Sequence, residues 1–427
     1  MNASSSLSPT AQATLLLTSH FAKAGNGKIK PLTIKEWGKF ALWLKEKNHS
    51  PADLLASDPK ALLNGWHDTR ISTERIIELL NRGHSLALAM EKWQRAGLWV
   101  VTRSDPQYPG RLKQRLKTDS PPVLFGCGNK ALLNAGGLAV IGSRNASEPD
   151  LAFTAQIGVK AAAENIAIVS GGARGIDEAA MLAAIKRGGV VIGVLAESLL
   201  GAAISVKWRK GLMDGHTVLV SPFYPEAGFS VGNAMARNKY IYCLADSALV
   251  VHSGKKGGTL SGAEENLKKL WVPLWVKTTT KPGAANADLV AKGGRWLEDD
   301  LQGLPLSDLI NNKHHCKDQV GKLQADLFSE PMQPELLTVS EPSSVPEYEV
   351  EMNAESSISA PVDFYRLFIA ELQREAKQPV SVAELSERTG LHRSQLSDWL
   401  KRAVADGVVK RLARPVRYQV ENKKQEG

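Results

Sequence analysis

The pattern of apolar and polar positions changes character along this 427-residue chain. Over the first hundred residues it is helical. In TIKEWGKFALWLKEK, Ile34, Trp37, Phe40, Ala41 and Leu44 share one face and lysines take the rest. Asp58-Pro59 and Asn64-Gly65 punctuate further short helices. From about Leu138 the pattern turns into short, almost wholly apolar runs alternating with amphipathic segments. The runs are LAVIG (138–142), IAIVS (166–170), VVIGVLA (190–196), TVLVS (217–221), ALVVH (248–252) and VPLWV (272–276). Strands apolar throughout are those of a parallel sheet covered on both faces, and their alternation with helices predicts a doubly wound α/β sheet. Ligands on such sheets lie beyond the carboxyl ends of the strands, where strand order reverses.

After Gly303 the pattern is lost in a Pro-, Ser- and Glu-rich stretch, SEPMQPELLTVSEPSSVPEYEVEMNAESSISAP, which reads as a disordered tether. Structure is expected again from Val362. DFYRLFIAELQREA, SVAELSERTG and HRSQLSDWLKRAVADG read as three helices, and VVKRLA with VRYQV as a hairpin hinged near Arg414-Pro415. Helix, turn with Gly390, helix, then basic hairpin is the order of a winged helix-turn-helix. Four segments follow: a helical, SAM-like part (1–103), the sheet domain (104–300), an acidic linker (301–360) and the winged helix (361–427).

Charge sharpens this division. The chain carries 53 Lys and Arg against 44 Asp and Glu, a net +9. Of these, 37 basic and 25 acidic residues precede Leu301, and 3 basic against 10 acidic lie in the linker. The surplus therefore sits in the large N-terminal part and favours an anionic partner. Three scattered cysteines, Cys127, Cys243 and Cys316, suit a reducing cytoplasm and give no disulfide framework. His314-His315-Cys316 lacks a second ligand pair, so no metal is expected. The first twenty residues lack a basic n-region, so no signal peptide is expected either. The apolar run from Gly188 to Val206 holds Glu197 and several glycines, which favours a strand and loop over a membrane span.

Candidate chemistry gathers at the strand ends. In GSRNAS, Gly142 permits a tight turn while Ser143 and Arg144 offer a hydroxyl and a planar fork. Ser147 can cap the next helix, with Pro149 in its first turn. In SGGARGIDEAA, Gly171 and Gly172 would let the backbone approach a ligand, Arg174 adds charge, and Asp177 would cap the helix. Arg237, Asn238 and Lys239 fall on a later helix, and Lys255 and Lys256 precede the turn Gly257-Gly258. Any one loop is explained by glycines closing a helix-to-strand turn. Four at one sheet edge, each with a cation, point to phosphate. No complete dinucleotide fingerprint or Walker loop is present, and no His/Asp pair sits near a plausible nucleophile. A nucleic-acid backbone with no cofactor is the reading left. It requires Arg144, Arg174 and Arg237 to converge on one trough whose floor is free of carboxylate.

These ordered motifs resemble the DNA-processing protein A family, also called DprA or Smf. The likeness covers roughly Ser104 to Trp296 and is carried by SDPQYPGRLKQ, PPVLFGCGN, AVIGSRNAS, IVSGGARGIDEAAMLAAI and ARNKYIYCLADSALVVHSGKKGGTLSGA. It implies an extended Rossmann-like fold without a catalytic step that binds single-stranded DNA. It further implies homodimerisation and delivery of the recombinase RecA onto single strands, as in recombination or DNA uptake. The binding candidates it implies are Gly142, Ser143, Arg144, Gly171, Gly172, Arg174, Arg237, Asn238, Lys239, Lys255 and Lys256. The chain departs from the family where ESLLGAAISVKWRKG replaces a Tyr-Pro pair, so Lys207, Arg209 and Lys210 would supply charge there. It departs again at Arg237-Asn238-Lys239, where the family has Arg-Asn-Arg. A divergent branch acting in repair, plasmid biology or phage defence stays open.

One rival reading is enzymatic. MARNKYIYCLADSALVVHSGKKGGTLSGAEE also resembles LOG-type phosphoribohydrolases, which act on nucleoside monophosphates, with Glu264 and Glu265 as its carboxylates. In the winged helix, Arg393, Ser394 and Gln395 open the third helix, where base contacts are usual, and Lys410, Arg411 and Arg414 could track phosphates. In the tether, QADLF resembles a sliding-clamp-binding peptide, with Leu327 and Phe328 as apolar anchors and Gln324 fixing the register.

Overall fold

The computed structural model describes residues 7–21, 29–297, 301, 303–311, 364–376, 378–389, 393–413 and 416–420. Two compact units divide the chain, Met1–Pro334 and Glu335–Gly427.

The first unit is built on a nine-stranded sheet. Its strands are β1 (Trp99–Thr102), β2 (Val123–Gly128), β3 (Leu138–Ile141), β4 (Ile168–Ser170), β5 (Val191–Val194), β6 (Thr217–Ser221), β7 (Ser247–Val250), β8 (Leu274–Lys277) and β9 (Arg295–Leu297). Their spatial order is β1-β2-β6-β5-β4-β3-β7-β8-β9. Strands β3 to β9 are mutually parallel, with Val140 opposite Leu249 where β3 meets β7. The chain lays β4, β5 and β6 outward on one side of β3 and returns to add β7, β8 and β9 on the other. Strand order therefore reverses between β3 and β7. All six apolar runs read from the sequence are strands of this parallel block, and every residue of β3, β4, β5, β6 and β7 is buried.

Helices cover both faces. Glu148–Ala163 is capped by the Ser147 side chain, which accepts from the Asp150 amide, and has Pro149 in its first turn. It packs closely on the helix Ile176–Lys186 at Gly158, where a Cβ would lie 2.5 Å from the Ala180 carbonyl oxygen. One layer centres on Leu138, Val140, Ile157, Met181 and Leu219, the other on Ala139, Val169, Ile192, Ile241 and Val276. The N-terminal helices enclose a smaller core around Phe40, Leu44, Trp66, Ile76 and Leu79. Leu15, Leu16 and Trp93 from the same segment join the sheet's core, with Trp93 edge-on to Phe125 at 5.0 Å.

Three features differ from the sequence reading. Strands β1 and β2 pair antiparallel with each other, and β2 pairs antiparallel with β6, so the sheet starts at Trp99, inside the segment read as helical. Strand β9 adds a further parallel edge. The packed unit also runs past Leu301. Residues Leu306–Asn311 form a helix whose Leu306 and Leu309 are buried in the main core, and the Glu164 carboxylate accepts from the Leu306 amide. Part of the stretch read as linker, Leu306–Asn311, is therefore packed structure, because two leucines at helical spacing find a place on the sheet layer.

The second unit has helices Phe364–Glu375, Val382–Thr389 and Arg393–Ala405 and an antiparallel hairpin, β10 (Val409–Ala413) with β11 (Val416–Val420). Leu372, Leu385, Leu396, Leu400 and Val409 form its core, and the Phe368 and Trp399 rings lie 4.9 Å apart. No described helix is long and apolar enough to cross a membrane. The segment Gly188 to Val206 contains β5 and the short helix Leu199–Ala203.

Candidate nucleic-acid interface

The carboxyl ends of the parallel strands carry two neighbouring clefts. The larger, about 670 Å³, lies between the loop after β4 (Gly171 to Arg174) and the segment after β5, which contributes Glu197, Ser198, Lys207 and Trp208. The smaller, about 380 Å³, lies at the reversal point between β3 and β7. Its walls are Gly142 to Arg144, the start of the helix Val231–Leu244, and the turn Lys256 to Thr259. Arg144, Ala173, Phe229 and Arg237 line both. The Arg144 guanidinium stands over the Phe229 ring, 4.7 Å from its centroid. This stacked pair is common to the two walls.

Beneath the clefts lies a buried charge pair that the sequence did not announce. Arg237 is 4% exposed. Its Nη1 donates to the Val194 carbonyl at 2.9 Å and lies 3.8 Å from the Asp177 carboxylate. Asp177 is also 4% exposed and accepts from the Gly171 amide at 3.2 Å, with the Gly142 and Ala173 amides directed at it. One carboxylate therefore faces the loops after both β3 and β4. Burial pushes the Asp177 carboxyl above its ordinary range against the pull of Arg237 and these amides, and pushes the Arg237 guanidinium down.

Three expectations are corrected here. Asp177 does not cap the following helix. Gly175, at φ +93°, holds the cap position, and Asp177 sits inside the first turn facing inward. Arg237 faces the protein interior and not the solvent, because its partner carboxylate and the Val194 carbonyl lie beneath the loops. The trough floor thus holds the carboxylate it was expected to lack, neutralised by that arginine. Gly171 is accordingly small for packing: a Cβ there would fall on the Arg237 guanidinium. Gly142 has a similar cause, since its Cβ would approach Ile176 to 2.6 Å. Of these three glycines Gly172 has the left-handed backbone, at φ +64°, and Gly257 on the smaller cleft also has positive φ, +115°.

The other sequence candidates divide plainly. Arg144, Arg174 and Lys256 are exposed, line a cleft and make no ion pair among the described residues. Lys207 lines the larger cleft but pairs with Glu178 at 2.9 Å. The Ser143 hydroxyl accepts from the Asn145 amide, and the Asn238 side chain donates to the Gly258 carbonyl, so both shape the smaller cleft's wall. Arg209, Lys239 and Lys255 line neither cleft, and Lys239 lies over the Tyr240 ring. Glu178 and Glu197 bring negative charge to the larger cleft. Glu264 pairs with Lys292, and neither it nor Glu265 lines a cleft, so the carboxylates that the enzymatic reading needs are not at either site. Phe229 is half exposed on the shared wall.

The loop after β3 is braced from behind. Asp150, 2% exposed, accepts from Ser147 and Lys281 and lies 3.7 Å from Lys277. Burial alone would raise its carboxyl; these partners outweigh burial and hold it below the ordinary range. His252 lies near this cluster, and its Nδ1 has no hydrogen-bond partner.

In the second unit Lys410 and Arg411 are exposed on β10, and Arg393, Ser394 and Gln395 begin the third helix. Arg414, the peptide Gln324, Leu327 and Phe328, and the cluster His314-His315-Cys316 lie outside the described residues. Cys127 and Cys243 are buried free thiols.

Comparison with known proteins agrees with this architecture. Residues 99–302 match the family described as DNA recombination-mediator protein A. DNA processing protein DprA of Bacillus subtilis is 28% identical over 234 residues, which span 49% of this chain and 77% of that protein. DNA processing protein DprA of Streptococcus pneumoniae is 31% identical over 169 residues, spanning 39% of this chain and 58% of that one. The X-ray structure of the S. pneumoniae protein superposes with a TM-score of 0.53 at 19% identity, covering 68% of this chain and 95% of that chain. The α/β sheet with its flanking helices resembles that fold.

Proposed function

We propose that this chain, which matches the DprA/Smf family, binds single-stranded DNA along the two clefts and serves DNA uptake or recombination. In this reading the sheet is a Rossmann-like domain and the second unit a winged helix whose Arg393, Ser394, Gln395, Lys410, Arg411 and Arg414 meet nucleic acid. The observation that carries it is the set of exposed cations Arg144, Arg174 and Lys256 on neighbouring clefts at one sheet edge, next to a half-exposed aromatic ring. Cations that follow a backbone and an aromatic face for bases are the two parts of a single-strand site. The strand-order reversal puts both parts where open α/β sheets take their ligands.

Three cations without an ion pair among the described residues set the electrostatics. Neutralising about three phosphates of a single strand gives a slope of log affinity against log salt of about −2. Titrating an oligothymidine at several salt concentrations measures it. Arg144→Ala is expected to flatten the slope by less than one and weaken binding at every salt. A slope near zero, or equal binding by Arg144→Ala, removes the clefts from the binding surface. RecA loading and a homodimer belong to the same proposal. RecA filament assembly on coated single strands, with and without this protein, tests the first, and sedimentation tests the second. Sliding-clamp capture through Gln324, Leu327 and Phe328 is tested by pull-down with that peptide.

A further inference from the structure

We propose that the outer face of the helix Val206–Met213 is a docking surface for a segment of a partner protein that carries carboxylates among apolar side chains. It is a second surface, and the argument for it does not depend on the single-strand reading above.

Among the described residues the three most exposed large apolar side chains are Val206 (83%), Met213 (81%) and Ile204 (76%). Single apolar residues scattered over a surface are ordinary, but these three fall within residues 204–213. The cause is local. Trp208 and Gly211 are buried, and a Cβ at Gly211 would lie 2.1 Å from the Thr217 hydroxyl, so the helix is held close against the sheet layer. Helical spacing then places Val206, Arg209, Lys210 and Met213 together on the outer side, where all four are exposed. Ile204 stands just before the helix's cap, Ser205.

Two apolar ends with two cations between them specify an occupant. The helix Ile176–Lys186 runs alongside: Glu178 pairs with Lys207 near one end, and Ile185 would lie 3.1 Å from a Cβ at Gly211 near the other. Its last residue, Lys186, and the following Arg187 are exposed toward the same end as Met213. Lys210 pairs with Asp214, whereas Arg209, Lys186 and Arg187 make no ion pair among the described residues. A nucleic-acid backbone would meet these cations and leave the three apolar side chains in water. A second copy docked by the same face would set cations against cations. A protein segment bearing both carboxylates and apolar side chains meets both demands, and an exposed apolar patch rimmed by charge marks such contacts. Arg209, Lys186 and Met213 line neither cleft, so the face and the clefts can be tested apart.

The test uses the full-length protein and three fluorescein-labelled peptides of equal length: one of mixed Glu and Leu, one with every Glu replaced by Gln, and one with every Leu replaced by Ser. Fluorescence anisotropy is expected to show binding of the first, weakening as salt rises, and roughly tenfold weaker binding of the other two. Arg209→Glu and Met213→Ser should each weaken binding of the Glu and Leu peptide by about tenfold, and Arg209→Glu should gain affinity for a Lys and Leu peptide. Met213→Ser is expected to keep the parental unfolding midpoint and oligothymidine affinity, because its side chain lies in solvent and lines neither cleft. Equal binding of the Glu and Gln peptides, or equal binding by the parent and both variants, overturns the proposal. So does absence of binding by the Glu and Leu peptide. In that case a loss of oligothymidine affinity in Met213→Ser assigns the face to nucleic acid, and a change in its sedimentation assigns the face to a second copy.

Discussion

Replacing Arg237 by methionine separates a strut from a ligand-binding group. Methionine keeps an unbranched chain and removes the charge, so the change deletes the hydrogen bond to Val194 at 2.9 Å and the counter-charge 3.8 Å from Asp177. Removing one partner of a buried ion pair costs about 3–5 kcal/mol, since the other charge stays buried. Asp177 keeps the Gly171 amide as a donor, with the Gly142 and Ala173 amides also favouring its charge, which places the expectation at the low end, about 3 kcal/mol. In a unit of this size that lowers the unfolding midpoint by roughly 6 °C. Arg144→Ala, an exposed site whose described contact is the Phe229 ring, loses about 0.5–1 kcal/mol and hardly moves the midpoint. Thermal scanning of both variants, with single-strand titrations well below either midpoint, gives the comparison. The expected pattern is crossed: Arg237→Met loses stability and keeps most of its affinity, and Arg144→Ala does the reverse. An Arg237→Met protein with the parental midpoint and no affinity would refute the buried-strut argument.

Two further outcomes are expected. Gly171→Ala places a methyl group on the Arg237 guanidinium, so it should destabilise the parent by about 1–3 kcal/mol and cost less in an Arg237→Met background, as coupled neighbours do; equal penalties in a double-mutant cycle would show that the two do not touch. Burial holds the His252 imidazole below its ordinary 6.5, with Lys281 and Lys277 reinforcing burial and Asp150 opposing it. Between the lowered folded value and 6.5 the unfolded chain binds more protons, so stability is complete above about pH 6.5 and declines as pH falls; His252→Gln should flatten that decline in urea titrations across this window, and an unchanged slope would assign it elsewhere.

The six inner strands of the parallel block were legible because strands buried on both faces are apolar at nearly every position, and this appears as runs rich in β-branched residues. The antiparallel edge was not. In β1 only four residues, WVVT, follow a helical segment, and Trp99 and Val100 are half-buried, so no full run forms. In β2 the run is broken by Gly126, which is small because the Trp99 ring covers it from the neighbouring strand. That requirement exists only once β1 and β2 pair. The three-residue β9 opens on an arginine and has no pattern to read. At the site, residue type was readable and orientation was not. ARNKY looks like a cationic helix face, yet Arg237 turns inward to meet an aspartate contributed by a distant helix. Phe229 was hidden for the opposite reason. Apolar residues are presumed buried, and the irregular segment around Gly228 and Ser230 carries no period that says otherwise.

The buried pair also changes how the site's charge is to be understood. Nine cations were read from the sequence as phosphate contacts in the sheet domain: Arg144, Arg174, Lys207, Arg209, Lys210, Arg237, Lys239, Lys255 and Lys256, of which Lys210 pairs with Asp214. Acting together on a single strand they would give a salt slope near −6. Arg237 is neutralised beneath the loops, Lys207 is engaged by Glu178, and Arg209, Lys239 and Lys255 line neither cleft. Among the described residues the positive charge retained at the clefts therefore comes from three side chains, Arg144 and Arg174 on the loops that Asp177 faces and Lys256 on the turn after β7. Because Asp177 and Arg237 lie 3.8 Å apart, a phosphate on the rim meets them nearly as a dipole, whose field falls off faster with distance than that of either charge. A carboxylate under the floor is in this way compatible with a polyanion above it, provided that its arginine stays in place. Substituting Arg237 would then lower affinity only slightly, through the uncompensated Asp177 charge beneath the floor, and its main cost falls on stability.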